Sequence, residues 1–183
     1  GQVGTKHEKR NTCLLTMGLY GGTRVGELSE LKLCDVLNKD WTVKETVILR
    51  KEYTKTKQTR QLFLTNKNVR TSIDDYVTER RELDGLTVRN FNRPLFKTQK
   101  GIGFTKVTLQ RCIKDLFRKV GLDDMVSSHS MRRTFITNLF EDGIDVKIIS
   151  KLVGHTNTQT TLNTYYTVRN DRLKDITENL VLR

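Results

Sequence analysis

The sequence predicts a mainly helical α+β domain with one small antiparallel sheet. Apolar residues mostly recur at helical spacing, only two short runs turn to strand-forming composition, and glycines stand where helices should stop. The 183 residues suit one domain with a real core, and no internal repeat is visible. Residues 11–19 read as a buried helix with Cys13, Leu14 and Met17 inward, halted by Gly21-Gly22. Residues 25–33 read as the next helix, with Leu28 and Leu31 apolar. Two strands are expected at 46–49 and 61–64, joined by a polar turn over 51–60. A helix over 68–83 places Val69, Ile73, Tyr76 and Val77 on one face, and 84–104 reads as loop. Thr105 caps a helix whose stripe is Val107, Leu109, Ile113, Leu116, Phe117 and Val120, with Gly121 after it. Ser127-Ser128 caps a helix through Phe140, and Asp145 caps a short one ending at Gly154. A helix from Thr158 or Thr160 to about Tyr166, then an amphipathic helix over 171–182 with Leu173, Ile176 and Leu180, completes the chain.

Composition narrows the function. Lys plus Arg number 33 against 21 Asp plus Glu, a net charge of +12 and a pI near 9.8. That balance fits a nucleic-acid binder and equally a soluble protein with a basic surface. Arg50, Lys51, Lys55, Lys57 and Arg60 face only Glu52 in their stretch, enough to neutralise several phosphates and make binding fall steeply with salt. Aromatics are 7% and do not interleave with that cluster, so a duplex backbone is expected rather than stacked single strands. No apolar run reaches the roughly 18 residues of a membrane span. Three scattered cysteines without a Cys-x-x-Cys pair suggest a reduced, cytoplasmic protein. Three histidines with no acidic cluster beside them offer no metal-ligand set, and no cofactor is indicated.

Four segments carry candidate chemistry. Arg24 sits on a glycine-loosened turn before a helix, with Glu27 placed to orient it. His129 and Arg132 share a helix face and can both donate to an anion. His155 follows Gly154 at a helix end. Tyr165-Tyr166 stands near a polar C-terminal segment. Taken singly, each also fits an ordinary role: a surface ion pair, an exposed helix face, a capping histidine, core aromatics.

Together the segments resemble the tyrosine recombinase family of phage- and transposon-type integrases, from about Asn11 to the C-terminus. The Gly-x-Arg-x-x-Glu-Leu-x-x-Leu pattern stands at Gly22-Thr23-Arg24-Val25-Gly26-Glu27-Leu28-Ser29-Glu30-Leu31. The His-x-x-Arg-x-Thr-Phe box stands at His129-Ser130-Met131-Arg132-Arg133-Thr134-Phe135. Leu152-Val153-Gly154-His155 follows, 23 residues after Arg132, and then Thr160-Thr161-Leu162-Asn163-Thr164-Tyr165. Each box alone is weak; four in order in a basic chain are specific. Many members place the nucleophile nine residues after this histidine, where Thr164 stands here; some transposon-type members use ten, which is Tyr165.

The resemblance implies a helical catalytic domain with a three-stranded sheet and strand exchange on duplex DNA through a 3′-phosphotyrosine. Arg24 and Arg132 would hold the phosphate oxygens, and a preorganised donor of that kind is worth roughly 3–4 kcal/mol of barrier. His129 would accept the tyrosine proton, His155 would bond the phosphate, and Tyr165 would attack, with Tyr166 its rival. The family's lysine acid on the strand turn matches Lys55, five residues before Arg60, with Lys57 close by. A homotetramer on DNA is implied, a monomer being open for the isolated domain, with neither a membrane nor a small-molecule substrate involved. Residues 1–183 are then one catalytic domain, residues 1–10 being the remnant of a linker from a DNA-clamping domain. Two other readings stand beside this one. A type IB topoisomerase shares the chemistry, but the box spellings favour the recombinase. A non-catalytic regulator using 145–166 as a helix-turn-helix leaves Arg24, His129 and Arg132 unexplained.

Overall fold

The computed structural model describes residues 7–51, 59–122 and 125–178. Among these residues eight helices and two strands run in the order α1 (Glu8–Gly21), α2 (Val25–Glu30), α3 (Leu33–Val36), β1 (Thr46–Leu49), β2 (Arg60–Phe63), α4 (Lys67–Asp84), α5 (Lys106–Lys119), α6 (Ser128–Glu141), α7 (Val146–Val153) and α8 (Thr158–Glu178). A 3-10 turn, Val88–Asn90, lies in the long connection after α4.

The caps follow the sequence closely. Asn66 accepts from Asn68 N at 2.9 Å, Thr105 from Thr108 N at 3.2 Å, Ser127 from His129 N at 3.3 Å and Asp145 from Lys147 N at 2.8 Å. Each satisfies a backbone donor that the first turn leaves without a partner.

β1 and β2 pair antiparallel, Val47 opposite Leu62 and Leu49 opposite Arg60. The period of two sends Val47, Leu49 and Leu62 inward and leaves Ile48 and Phe63 exposed. It also sends Arg60 inward. Among the described residues the sheet has two strands, where the resemblance implies three.

Two further expectations are corrected. The helix expected over 25–33 ends at Glu30, because Leu31 turns extended: its carbonyl accepts from Leu95 N at 2.7 Å, and Asp35 recaps the chain through Lys32 N at 2.8 Å. The break expected before Asp171 does not occur, and α8 runs unbroken to Glu178. Neither Gly nor Pro interrupts 158–178, so nothing forces a stop. The side chains of Leu173 and Ile176, and residue Leu180, lie outside the described residues. In α5 the predicted stripe is narrower than expected: Leu109, Ile113 and Phe117 are buried, but Val107 and Val120 at the two ends are exposed.

The core has two parts. The larger gathers α1 to α5 and the sheet around Leu14, Met17, Leu28, Leu49, Ile73 and Phe96. A smaller one forms where α6 and α7 meet, around Ile136, Ile149 and Val153. α6 belongs to both, since Met131 packs into the first cluster and Ile136 into the second. The predicted boxes converge on the seam between them.

Candidate active site

The seam is built on two glycines. Gly22 closes α1 with φ 57°, and a Cβ there would fall 2.4 Å from the Phe135 ring of α6. Only glycine lets α6 cross this close and still take a left-handed conformation. Gly154 closes α7 with φ 64°, and a Cβ there would fall 2.6 Å from Arg60 Cδ.

Three arginines meet at the C-terminus of α7, each on a different carbonyl. Arg60 Nη1 donates to Leu152 O at 2.6 Å, Arg132 Nη2 donates to Val153 O, and Arg24 Nη2 donates to Gly154 O at 2.9 Å. Helix ends leave such carbonyls without partners and carry partial negative charge, so cations are held there at little cost. Arg132 Nη1 also donates to Gly22 O, closing the seam from the other side.

Among the described residues a single carboxylate faces this cluster. Glu27, wholly buried, accepts from Arg24 Nη1 at 2.9 Å and from Arg24 N at 2.8 Å. It also accepts from Arg60 Nε at 3.1 Å and Arg60 Nη2 at 2.6 Å. Burial alone would raise its pKa, but the hydrogen bonds and charges of Arg60 and Arg24 outweigh that and hold it below the ordinary value. Three guanidiniums against one carboxylate leave a surplus of two positive charges. Burial first, then the charges of Arg24 and Arg60, pull the pKa of Arg132 down to about 9. Arg132 remains a cation at neutral pH.

His155 adjoins the cluster. Its Nδ1 lies 2.8 Å from Thr161 Oγ1 of α8, and its backbone N donates to Ser150 O at 2.9 Å. Burial first, then the charges of Arg132, Arg24 and Arg60, push its pKa down to about 4, so the ring is neutral at pH 7. Beside it opens a cavity of about 870 Å³, lined among others by Arg60, Phe63, Lys147, Lys151 and His155.

Arg24, Arg132 and His155 are therefore brought together. His129 stands in the first turn of α6, one turn before Arg132, and is exposed, whereas Arg132 is buried. Tyr165 lies one turn beyond Thr161 on the same face of α8, half-buried, its ring 4.5 Å from that of Phe140. Tyr166 is exposed. Lys55 and its rival Lys57 lie outside the described residues.

Arg60 overturns an expectation. The sequence groups it with surface phosphate binders, but only 8% of it is exposed and its donors serve Glu27 and Leu152 O. Strand alternation with Leu62 is the signal that points it inward. Thr161 and Ser150 carried no signal of their own. Among the described residues there is no cluster of three or more metal-ligating side chains and no helix long and apolar enough to cross a membrane.

Three arginines, Arg60 and Arg132 buried and Arg24 partly so, gather on one helix end beside a neutral histidine and a tyrosine-bearing helix, an arrangement whose charge suits an anion. The model of the phage integrase family matches residues 3–172, and the chain belongs to that family. It is 29% identical over 180 residues to transposase A from transposon Tn554 of Staphylococcus aureus, covering 92% of this chain and 46% of that protein. It is 28% identical over 177 residues to the tyrosine recombinase XerD of Oceanobacillus iheyensis, covering 96% of this chain and 56% of that one. The chain thus spans about half the length of these relatives. Its fold is similar to that of XerA recombinase, with a TM-score of 0.73 at 23% identity over 96% of this chain and 58% of that one. It is also similar to the Tn1549 transposon integrase in complex with transposon right end DNA, with a TM-score of 0.67 at 22% identity over 97% and 61% of the two chains.

Proposed function

We propose that this chain is the catalytic domain of a longer site-specific DNA recombinase that cuts and rejoins duplex DNA through a 3′-phosphotyrosine. The observation that carries the reading is the collection of Arg24, Arg60 and Arg132 on three successive carbonyls with only Glu27 opposing them among the described residues. A phosphodiester attacked by a tyrosinate becomes a dianionic phosphorane. The surplus of two charges matches that dianion, and the carbonyls aim the guanidiniums before it forms.

In the forward step Tyr165 Oη attacks phosphorus, its proton passing to His129, and the bond from phosphorus to the 5′-oxygen breaks. Arg24 and Arg132 hold the non-bridging oxygens through donors used on neither backbone carbonyls nor Glu27. His155 donates to the same phosphate. Lys55 supplies the proton that leaves a 5′-hydroxyl. That hydroxyl, or one from a second duplex, reverses the step, so bond energy is conserved in the protein link. Two duplexes exchanging strands need four such sites, which supports a tetramer on DNA. A DNA-clamping domain in the longer protein, as in the resemblance, would hold the duplex against this one. A regulator that only binds DNA has no use for three guanidiniums aimed by one helix end and a buried carboxylate.

The test is a nicked suicide duplex carrying the sequence that flanks the coding element, incubated with the full-length protein. A gel-stable adduct that Tyr165→Phe abolishes and Tyr166→Phe keeps is expected. Intact DNA binding with no adduct on that duplex would reject the enzyme in favour of a regulator.

A further inference from the structure

His155 can serve a phosphate only with a proton on the nitrogen that faces it. Its Nδ1 is turned into the interface between α7 and α8, 2.8 Å from Thr161 Oγ1, which leaves Nε2 to meet the phosphate. Thr161 Oγ1 in turn lies 2.7 Å from Ser150 Oγ. Both hydroxyl residues are buried, Thr161 at 0% and Ser150 at 4% exposure.

Proton accounting gives this chain a direction. A hydroxyl carries one proton, so Thr161 donates either to Nδ1 or to Ser150. Were Nδ1 protonated, Thr161 would have to donate to Ser150, and the Ser150 proton would be left buried. Thr161 is its one side-chain hydrogen-bond partner among the described residues. A buried donor without an acceptor is costly. In the opposite direction Ser150 donates to Thr161, Thr161 donates to Nδ1, and no proton is stranded. The neutral ring then carries its proton on Nε2. Burial first, and then the surrounding arginines, favour the neutral ring, since a further positive charge there would be desolvated and repelled.

We propose that Thr161, backed by Ser150, is a positioning residue that fixes His155 as the Nε2–H tautomer and so presents a hydrogen-bond donor to the scissile phosphate. The proposal rests on the reading of His155 as a phosphate ligand. Because Thr161 stands one turn before Tyr165, the same hydroxyl ties the seating of the tyrosine-bearing helix to the hydrogen-bonding state of His155.

Long-range proton–nitrogen NMR of the 183-residue chain at pH 7 reads the tautomer directly, with the His155 signals assigned by their loss in His155→Gln. The wild type is expected to carry the proton on Nε2. Thr161→Val keeps the shape and removes the hydroxyl; a mixed tautomer and an adduct rate about tenfold lower on the suicide duplex, with duplex affinity unchanged, are expected. Thr161→Ser should restore both, which a purely steric role would not predict. If Thr161→Val does not fold, Thr161→Ala is read instead, with the same mixed tautomer expected; Ser150→Ala should keep the Nε2–H form, since Thr161 then has only Nδ1 to donate to, and a proton on Nδ1 in that variant would also overturn the proposal. A wild-type proton on Nδ1, or a Thr161→Val variant with wild-type tautomer and rate, overturns the proposal. An absent adduct in the wild type would reject the recombinase reading, while the tautomer measurement would still decide this one.

Discussion

Glu27→Gln is the substitution that probes the cation cluster most sharply. The glutamine has the same shape, but it offers one carbonyl oxygen where the carboxylate offers two. Its amide group would face guanidinium donors. Of the four hydrogen bonds to Glu27, two become donor against donor. Hydrogen bonds to a charged group are worth about 1.5–3 kcal/mol each, so about 3–6 kcal/mol is at stake. Removing one partner of a buried ion pair costs about 3–5 kcal/mol. These are two views of one loss, so they are not added, and about 4 kcal/mol is the central figure. Against a typical stability of about 5–15 kcal/mol that is a large share. The melting temperature should fall by about 8–16 °C in a chain of this size. Urea unfolding at pH 7, followed through the single tryptophan Trp41 packed 4.8 Å edge-on to Phe91, measures it. The gap should also close in acid. Glu27 has a lowered pKa, so its contribution is complete above the unfolded carboxyl value of 4.5 and is lost as the pH falls through the folded one. A loss below about 1 kcal/mol at pH 7 would refute the reasoning, because Glu27 would then not be the counterion of the cluster.

Three further outcomes are expected. Gly154→Ala should destabilise by about 2–4 kcal/mol, from a left-handed alanine and a Cβ 2.6 Å from Arg60 Cδ; wild-type stability would mean the α7 turn relaxes freely. Arg132→Lys keeps the charge but not the fork that spans Gly22 O and Val153 O. It should slow adduct formation about 100- to 1,000-fold while duplex affinity stays within a few-fold; parallel losses in both would assign Arg132 to binding alone. Burial and then the neighbouring arginines hold the His155 pKa in the fold down to about 4, against 6.5 for the unfolded group, so the unfolded chain binds more protons between those values. Stability should therefore be level above about pH 6.5, fall as the pH drops towards 4, and fall less in His155→Gln. Identical urea midpoints against pH in the two proteins would contradict the depressed value.

Much of the scaffold was legible because its signals are local. Thr105, Ser127 and Asp145 cap helices through bonds to residues two or three positions on, and Gly22, Gly121 and Gly154 take left-handed conformations at helix ends. What escaped depends on distant partners. The break at Leu31 is made by Leu95, 64 residues away in the chain, and propensity alone would continue the helix. Polar Asn170 and Asp171 resemble a cap, but α8 passes through them. In the site, the boxes supplied Arg24, Arg132 and His155. They did not reveal why Leu152-Val153-Gly154 precedes the histidine, which is to offer three carbonyls to three arginines. Arg60 looked like a surface cation because charge is easier to see than strand phase. Thr161 and Ser150 act through the direction of hydrogen bonds between two helices, and no residue spacing encodes that.

The central claim is that Tyr165 becomes covalently joined to DNA. Trypsin cuts after Lys151 and Arg169 and nowhere between, so one peptide, 152–169, carries both Tyr165 and Tyr166. Tandem mass spectrometry of that peptide from the trapped adduct, after nuclease trimming, separates the two by the fragment that divides them. The account predicts a phosphonucleotide on Tyr165 joined through the 3′-phosphate. A nucleotide on Tyr166, or an adduct on any peptide other than 152–169, would contradict it.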